Sequence, residues 1–274
     1  MLDPVIDNFP LWALTLLLFA TCLVAGYLGT RLRRWKAVSQ PPGEKEEKSD
    51  AEAYIIGSIF GLLAFFLAMT FSIASDRYSM RRDLVYDEAN AISTTYMRLN
   101  LFDQPAAAET RELMRQYTHT RIAPDGLWGT DQASALKATR DARERAWARI
   151  RAALLPWRET DFASNILEPM NAAFDIGTKR ELLGQTHIPT RIFDVLFIYT
   201  LVSAAVLGFV VGDGGRGRKL AAALLLWLYT MSFVLILDID RPRAGKVTLS
   251  QAALEELAAS MDRDAVQSRI SVSR

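Results

Sequence analysis

Residues Ala53–Ser75 read AYIIGSIFGLLAFFLAMTFSIAS, 23 residues without one Asp, Glu, Lys or Arg. A hydrocarbon core about 30 Å thick needs roughly 20 apolar residues per helix, so this stretch is long enough to cross a bilayer. Three other windows are equally free of charge: Asn8–Thr30 (23 residues), Val195–Gly212 (18) and Leu220–Leu237 (18). All 63 charged residues of the 274 therefore lie outside these four windows. The averages, 50% apolar, 23% charged, net charge +1 and mean hydropathy +0.09, resemble a soluble protein only because two unlike populations are mixed. A soluble globular enzyme is excluded. The pattern predicts an all-α membrane protein with four transmembrane helices, spans 1 to 4.

Working outward from Ala53–Ser75, no Gly or Pro occurs between Leu62 and Gln104, 43 residues. As one helix this would be about 65 Å long, roughly twice the membrane core. Span 2 is therefore expected to extend beyond the bilayer, with Val85, Ile92, Tyr96 and Leu99 as an inner stripe at helical spacing. Residues 76–190 form a polar insert between spans 2 and 3 with 16 basic and 16 acidic residues. Its punctuation is helical: Asp103 before Pro105, a turn at Pro124-Asp125-Gly126, and Pro156 closing a stretch opened at Asp131. In that stretch Leu136, Trp147, Ile150 and Leu154 fall near helical spacing; its basic amphipathic helix could lie on a membrane surface, but Trp147, Ile150 and Leu154 are expected to pack into the insert bundle. A further helix is expected over about Asp161–Leu183, with Pro169 inside it.

These boundaries divide the chain into 1–75 (spans 1 and 2 with a polar linker, 31–52), 76–190 (insert), 191–238 (spans 3 and 4) and 239–274. In the last segment Ser250 is an N-cap, Leu249 and Leu254 take the two staple positions, and Leu254, Leu257 and Met261 form an apolar face. The final residues, rich in Ser and Arg, are expected to fray.

An even number of spans places both termini and the insert on one side. Lys and Arg near span ends number nine on each side, but the flanks of span 1 differ by zero against four, Arg31, Arg33, Arg34 and Lys36. The first helix carries most weight, so the charges lean towards an extracytoplasmic insert in a multi-pass inner-membrane protein. The N-terminus has Asp3 and Asp7 and no basic residue, so span 1 is expected to be retained rather than cleaved as a signal.

Three blocks carry a resemblance: GLLAFFLAMTFSIASDRYSMRRDLVYDEANAISTTYMRL (61–99), LEPMNAAFDIGTKRELLGQTHIP (167–189) and LDIDRPRAGKVTLSQAALEEL (237–257). Together they resemble the bacterial bestrophin-like membrane proteins, over about residues 9–262. The shared layout is two spans, a helical insert and two spans. Kinship with true bestrophins, which are pentameric anion channels with a cytoplasmic insert, would imply a homo-oligomer that conducts anions. No bestrophin pore motif carries over residue by residue.

Two groups of residues could serve such a function. Gly57, Gly61, Ala64, Ala68, Ser72 and Ser75 form a small-residue stripe on span 2, suited either to close helix packing or to lining a narrow pore. Thr200, Ala204, Gly208 and Gly212 form another on span 3, expected to cross span 2 or its copy closely. Asp76, Arg77, Arg191, Asp194, Asp238, Asp240 and Arg241 gather at one membrane face, either as an ion vestibule or as salt bridges joining Arg77 or Arg191 to Asp238 or Asp240.

On extended span 2 the polar row Asp87, Glu88, Asn90 and Thr94 suits register fixing better than metal binding, which needs more convergent oxygens. Asn171 and Asp175, with Arg180 near, read as a local surface cluster.

The run Gly212-Asp213-Gly214-Gly215-Arg216-Gly217 matches GxGxxG, but its flanks are membrane-length apolar runs and not a strand and an amphipathic helix, so no dinucleotide site is expected. Cys22 is the sole cysteine, and His119 and His187 lack metal or triad partners in sequence. No cofactor, metal, catalytic group or nucleic-acid partner is expected. The expected partners are the lipid bilayer, further copies of the chain and an inorganic ion. The alternative to a channel-like protein is a non-conducting scaffold or envelope sensor whose insert binds a protein partner.

Overall fold

The computed structural model describes residues 10–37, 47–101, 105–122, 132–212, 214–241 and 247–272. The turn expected at Pro124–Gly126 and residues 38–46 of the linker after span 1 lie outside these residues. The described elements are helices: α1 (Leu11–Ala37), α2 (Glu47–Leu99), α3 (Pro105–Arg121), α4 (Gln132–Leu154), α5 (Asp161–Gln185), α6 (Thr190–Val211), α7 (Arg216–Asp240) and α8 (Ala252–Val272), with a 3₁₀ turn at Leu155–Trp157. Four stretches, Leu11–Trp35, Tyr54–Leu99, Asp161–Val211 and Arg216–Asp240, are long and apolar enough to cross a membrane. The fold is the all-α, four-span arrangement that the charge-free windows dictate. α2 is one helix of 53 residues, starting six residues before Ala53.

The chain divides into two compact units, 1–78 with 187–248, and 79–186 with 249–274. The first holds the spans. Its core draws Leu14, Leu18 and Cys22 from α1, Phe60, Leu63 and Leu67 from α2, Phe193 and Leu196 from α6, and Phe233 and Leu237 from α7. The small-residue face of α6 makes its close crossing with α1, while α6 meets the α2 of the same chain through bulkier groups such as Tyr199 against Phe66. The reason is steric. Gly26 and Gly29 on α1 meet Ala204, Ala205 and Gly208 on α6 so closely that a Cβ on Gly29 would strike the Ala205 carbonyl, and one on Gly208 the Gly26 carbonyl. Without a hydrophobic drive between helices in lipid, such backbone approach is what dispersion and packing reward.

Arg33 then closes the C-terminus of α6, donating from Nη1 to the carbonyls of Phe209 (3.0 Å) and Val210 (2.6 Å). A helix leaves its last carbonyls unpaired, and a guanidinium both satisfies them and complements the helix dipole. Gly212 ends α6 with φ +48°, and a Cβ there would lie 2.7 Å from Arg33 Cδ. The GxGxxG match therefore lies between two membrane-length helices.

The second unit is a helical bundle. Val85, Ile92 and Leu99 of α2 are buried with Met114 and Tyr117 of α3, Ala142, Ala146, Ile150 and Leu154 of α4, Ile166, Met170 and Ala173 of α5, and Leu254 and Met261 of α8. Pro105 opens α3 at the first helical position, where its missing N–H costs nothing. Trp147, expected in this core, is exposed; α4 turns its alanines inward and leaves the indole on the outer face. Ser250 accepts from the Ala252 N–H at 3.4 Å, and Leu249 packs against the core that holds Leu254. α8 continues to Val272, through Ser268 and Ser271 where fraying was expected.

Candidate functional site

The small-residue stripe of α2 faces away from the described helices packed on its other side. Phe60, Leu63, Leu67, Thr70 and Ala74 are the buried face of α2, whereas Gly57, Gly61, Ala64, Ala68 and Ser72 are exposed and Ser75 is half-buried. A Cβ built on Gly57 or Gly61 would meet nothing within 4 Å. Among the described residues, therefore, nothing packs against the stripe at its two glycines. On the same outer surface Ile55, Leu62, Phe65 and Met69 are also exposed.

The ionisable residues at the span ends differ in burial. Asp240 is fully buried, and both its carboxylate oxygens accept from the Ile188 backbone N–H at 3.1 Å. His187 Nδ1 lies 3.3 Å from the Asp240 carbonyl and 4.0 Å from its Oδ2. Asp240 thus ties the end of α7 to the segment before α6 through a backbone donor that precedes Pro189. Asp238 accepts from the Val247 N–H at 3.4 Å, and Tyr78 donates to the Thr248 carbonyl at 3.4 Å. Arg241 is buried, Arg77 and Asp194 are half-buried, and Asp76 and Arg191 are exposed.

The polar row on α2 splits. Asp87 and Asn90 are exposed and Thr94 is half-buried, its hydroxyl bonded to the Asn90 carbonyl of its own helix. Glu88 is completely buried and at the centre of an ionic network. Its Oε1 lies 2.5 Å from Arg121 Nε, and its Oε2 accepts from Arg180 Nη1 at 2.8 Å. Arg121 also reaches Glu181 Oε1 at 2.6 Å and the Gly177 carbonyl at 3.0 Å. Tyr117 donates to Glu88 Oε1 at 3.3 Å, and burial pushes its phenol well above the usual range, so it stays a donor. Three helices, α2, α3 and α5, thereby meet at one carboxylate.

Arg180 does not join Asn171 and Asp175 at the surface. Those two are exposed, and Arg180 points the other way, onto Glu88. Arg121 gave no signal in sequence beyond a basic residue in a last turn, the ordinary complement of a helix dipole. Gly177 is a second missed participant: a Cβ there would lie 2.7 Å from the Tyr117 hydroxyl and 2.9 Å from Glu88 Oε1. Beside this network, Arg81 is buried and donates to the Thr186 carbonyl at 2.9 Å, at the C-terminus of α5.

A smaller cluster joins α3 to α8. Asp262 Oδ1 accepts from Arg115 Nη1 at 2.6 Å and lies 3.0 Å from His119 Nε2, and Arg115 also chelates Glu112. The hydrogen bonds from His119 and then Arg115 hold the Asp262 carboxyl below its ordinary range. No group of three or more metal-ligating side chains occurs among the described residues.

Four apolar helices, a helical bundle and an uncovered small-residue face define an integral membrane protein of the four-span, all-helical class. The bestrophin-like domain profile matches residues 16–254, and the chain belongs to the bestrophin-like family. Its fold is shared with crystal structures of a bacterial bestrophin homologue from Klebsiella pneumoniae. One, carrying a point mutation, is 12% identical, with a TM-score of 0.66 over 92% of this chain and 98% of that one. A second point mutant is 13% identical, with a TM-score of 0.69 over 89% and 96%. A third, solved by Zn-SAD phasing, is 12% identical, with a TM-score of 0.67 over 90% and 96%. No curated protein sequence matches the chain.

Proposed function

We propose that the chain assembles as a homo-oligomer around an axis faced by α2, forming an ion-conducting path lined by Gly57, Gly61, Ala64, Ala68, Ser72 and Ser75. One observation supports this most. The protomer buries the bulky face of α2 and leaves the small face open, with nothing within 4 Å of either glycine position. Copies of a narrow helix around an axis leave a passage where bulky side chains would close it. Ser72 and Ser75 would supply hydroxyls to a passing ion. Asp76 and Arg77 follow directly on the same helix and would set the field at its mouth, with Asp194 and Arg191 on α6 beside the same membrane face. Membership of the bestrophin-like family supports an anion as the permeant species.

The test is purified protein in detergent and in chloride-loaded liposomes. The expected results are a mass several times that of one chain by light scattering and a dissipated chloride gradient. Gly57→Leu and Gly61→Leu are expected to cut flux at least about tenfold while leaving the fold intact, since neither position touches the protomer. A monomer, an oligomer that passes no ion, or leucine variants with unchanged flux would sink the channel reading; the first two outcomes would favour a non-conducting scaffold.

A further inference from the structure

We propose that the buried edge of Arg180, inside the helical bundle, is a binding site for a small inorganic anion, with chloride as the committed occupant. Arg180 lies on α5 and is 1% exposed. A guanidinium carries its donors in a rigid plane, with Nη1 at one end and Nε and Nη2 together along one side. Here Nη1 donates to Glu88 Oε2 at 2.8 Å. Nε and Nη2 are buried and have no hydrogen-bond partner among the described residues. These two nitrogens form the side-on edge that grips an anion through two parallel N–H bonds. Burying that edge empty removes its hydration with nothing to replace it, a cost that native interiors rarely carry without a bound water or ion.

The network beside this edge does not fill it. A carboxylate offers about four acceptor sites, and Glu88 uses them all. Its Oε1 meets Arg121 Nε at 2.5 Å and the Tyr117 hydroxyl at 3.3 Å, and its Oε2 meets Arg180 Nη1 at 2.8 Å and Arg121 Nη2 at 3.3 Å. The other carboxylate of the network, Glu181, bonds Arg121 Nη1 and not Arg180. Glu181 is 22% exposed, whereas Glu88 and Arg121 are at 0% and Arg180 at 1%. The enclosed part of the network therefore holds two guanidinium groups and one carboxylate, and the positive charge left over lies at Arg180. A water would accept from the edge and bring no charge. An anion does both, and an uncompensated buried charge costs far more than an unpaired neutral donor. Chloride is the smallest occupant of this kind and asks for no donated acceptor in return. The edge has no opening to solvent, so the ion exchanges through local opening of the bundle. The site does not involve the Gly57–Ser75 stripe and stands apart from ion conduction.

The experiment dialyses the full chain in mild detergent into sodium gluconate or sodium chloride at equal ionic strength, and follows tryptophan fluorescence through thermal unfolding. The expected result is a higher Tm in chloride, by roughly 3–5 °C once chloride exceeds its dissociation constant about tenfold. Arg180→Lys keeps the charge and removes the side-on edge, so the chloride-dependent rise should vanish. Gly57→Leu places bulk on the α2 stripe and should retain the rise, which separates this site from any ion held along the proposed path. In crystals of the unaltered chain grown from bromide, the anomalous signal should place one ion within hydrogen-bond distance of Arg180 Nε and Nη2. Equal Tm in the two salts, a full chloride-dependent rise in Arg180→Lys, its loss in Gly57→Leu, or a water in place of bromide at the edge would each overturn the proposal. The bromide measurement decides the matter even where Arg180→Lys does not fold. None of these readouts depends on ion conduction.

Discussion

At Glu88 one carboxylate with no solvent access accepts from two guanidinium groups and a phenol contributed by two other helices. Its periodic position beside Val85 and Ile92 marks it as inward-facing in the sequence. Its partners are not legible there, because they lie 33 and 92 residues away and arginine on a polar helix ordinarily snorkels to water. Removing one charge from a buried pair leaves the other uncompensated, a cost of roughly 3–5 kcal/mol. Glu88→Gln should therefore destabilise the bundle by about that amount in denaturant melts, while Asp87→Asn, one residue away and exposed, should stay within about 0.5 kcal/mol. If Glu88 fixes register between α2, α3 and α5, the destabilisation should be strongly non-additive with Arg180→Met, because both changes remove the same contact. Gly177→Ala tests the same site by volume alone. The added methyl must displace the Tyr117 hydroxyl and Glu88, and a loss of about 1–3 kcal/mol is expected, as for other overpacked cores. Wild-type stability for Gly177→Ala would show that the network yields more easily than its geometry implies.

Helices, as elements, were legible wherever a single physical rule governs them. Charge-free windows of membrane length mark the spans, the absence of Gly and Pro after Gly61 marks the continuation of α2 beyond its span, although the helix ends at Leu99 and not near Gln104, and Pro105 marks the start of α3. Which helices meet was less legible. The GxxxG pair Gly57 and Gly61 draws attention to α2, yet the close crossing uses Gly26 and Gly29 on α1, spaced three apart, against Ala204, Ala205 and Gly208. Small residues mark a helix as able to approach another and do not name the partner. Gly29→Val or Gly208→Val should therefore lower Tm sharply and weaken expression, because backbone and not a mobile side chain blocks the new atoms, whereas Gly57→Ala should leave Tm unchanged.

The docking of α8 is a second property of elements. Asp262 is held ionised by His119 and Arg115, so its folded carboxyl titrates below the ordinary value of about 3.9. A depressed acid contributes stability that is fully present above the unfolded value and is lost as pH falls through the folded one. Hydrogen exchange of the α8 amides should therefore stay constant from neutral pH down to about 4, after correction for intrinsic rates, and accelerate below it. Asp262→Asn should remove that acid-dependent step. A step that persists in the variant would assign it to another carboxylate.

For the whole molecule, the open question of orientation turns on charge. Nine Lys and Arg flank the spans on either side, so a plain count decides nothing, and kinship with bestrophins would place the insert in the cytoplasm. The distribution is not symmetric at α1, where Arg31, Arg33, Arg34 and Lys36 follow the span and Asp3 and Asp7 precede it. Arg33 bonds the α6 carbonyls, so one of these charges also has a structural reason to be there. Even without it, the flanks of α1 differ by three positive charges in the same direction, and the first helix usually dominates insertion. The expected arrangement has the 31–52 and 213–219 segments in the cytoplasm and the insert outside. Arg158, exposed after the 3₁₀ turn that follows α4, offers a labelling position. The native Cys22 is fully buried and leaves a silent background. In Arg158→Cys, a membrane-impermeant maleimide should label intact spheroplasts to the same extent as permeabilised ones. Labelling that appears only after permeabilisation would reverse the orientation, place the insert inside as in bestrophins, and leave helix closure, not topology, as the role of Arg33.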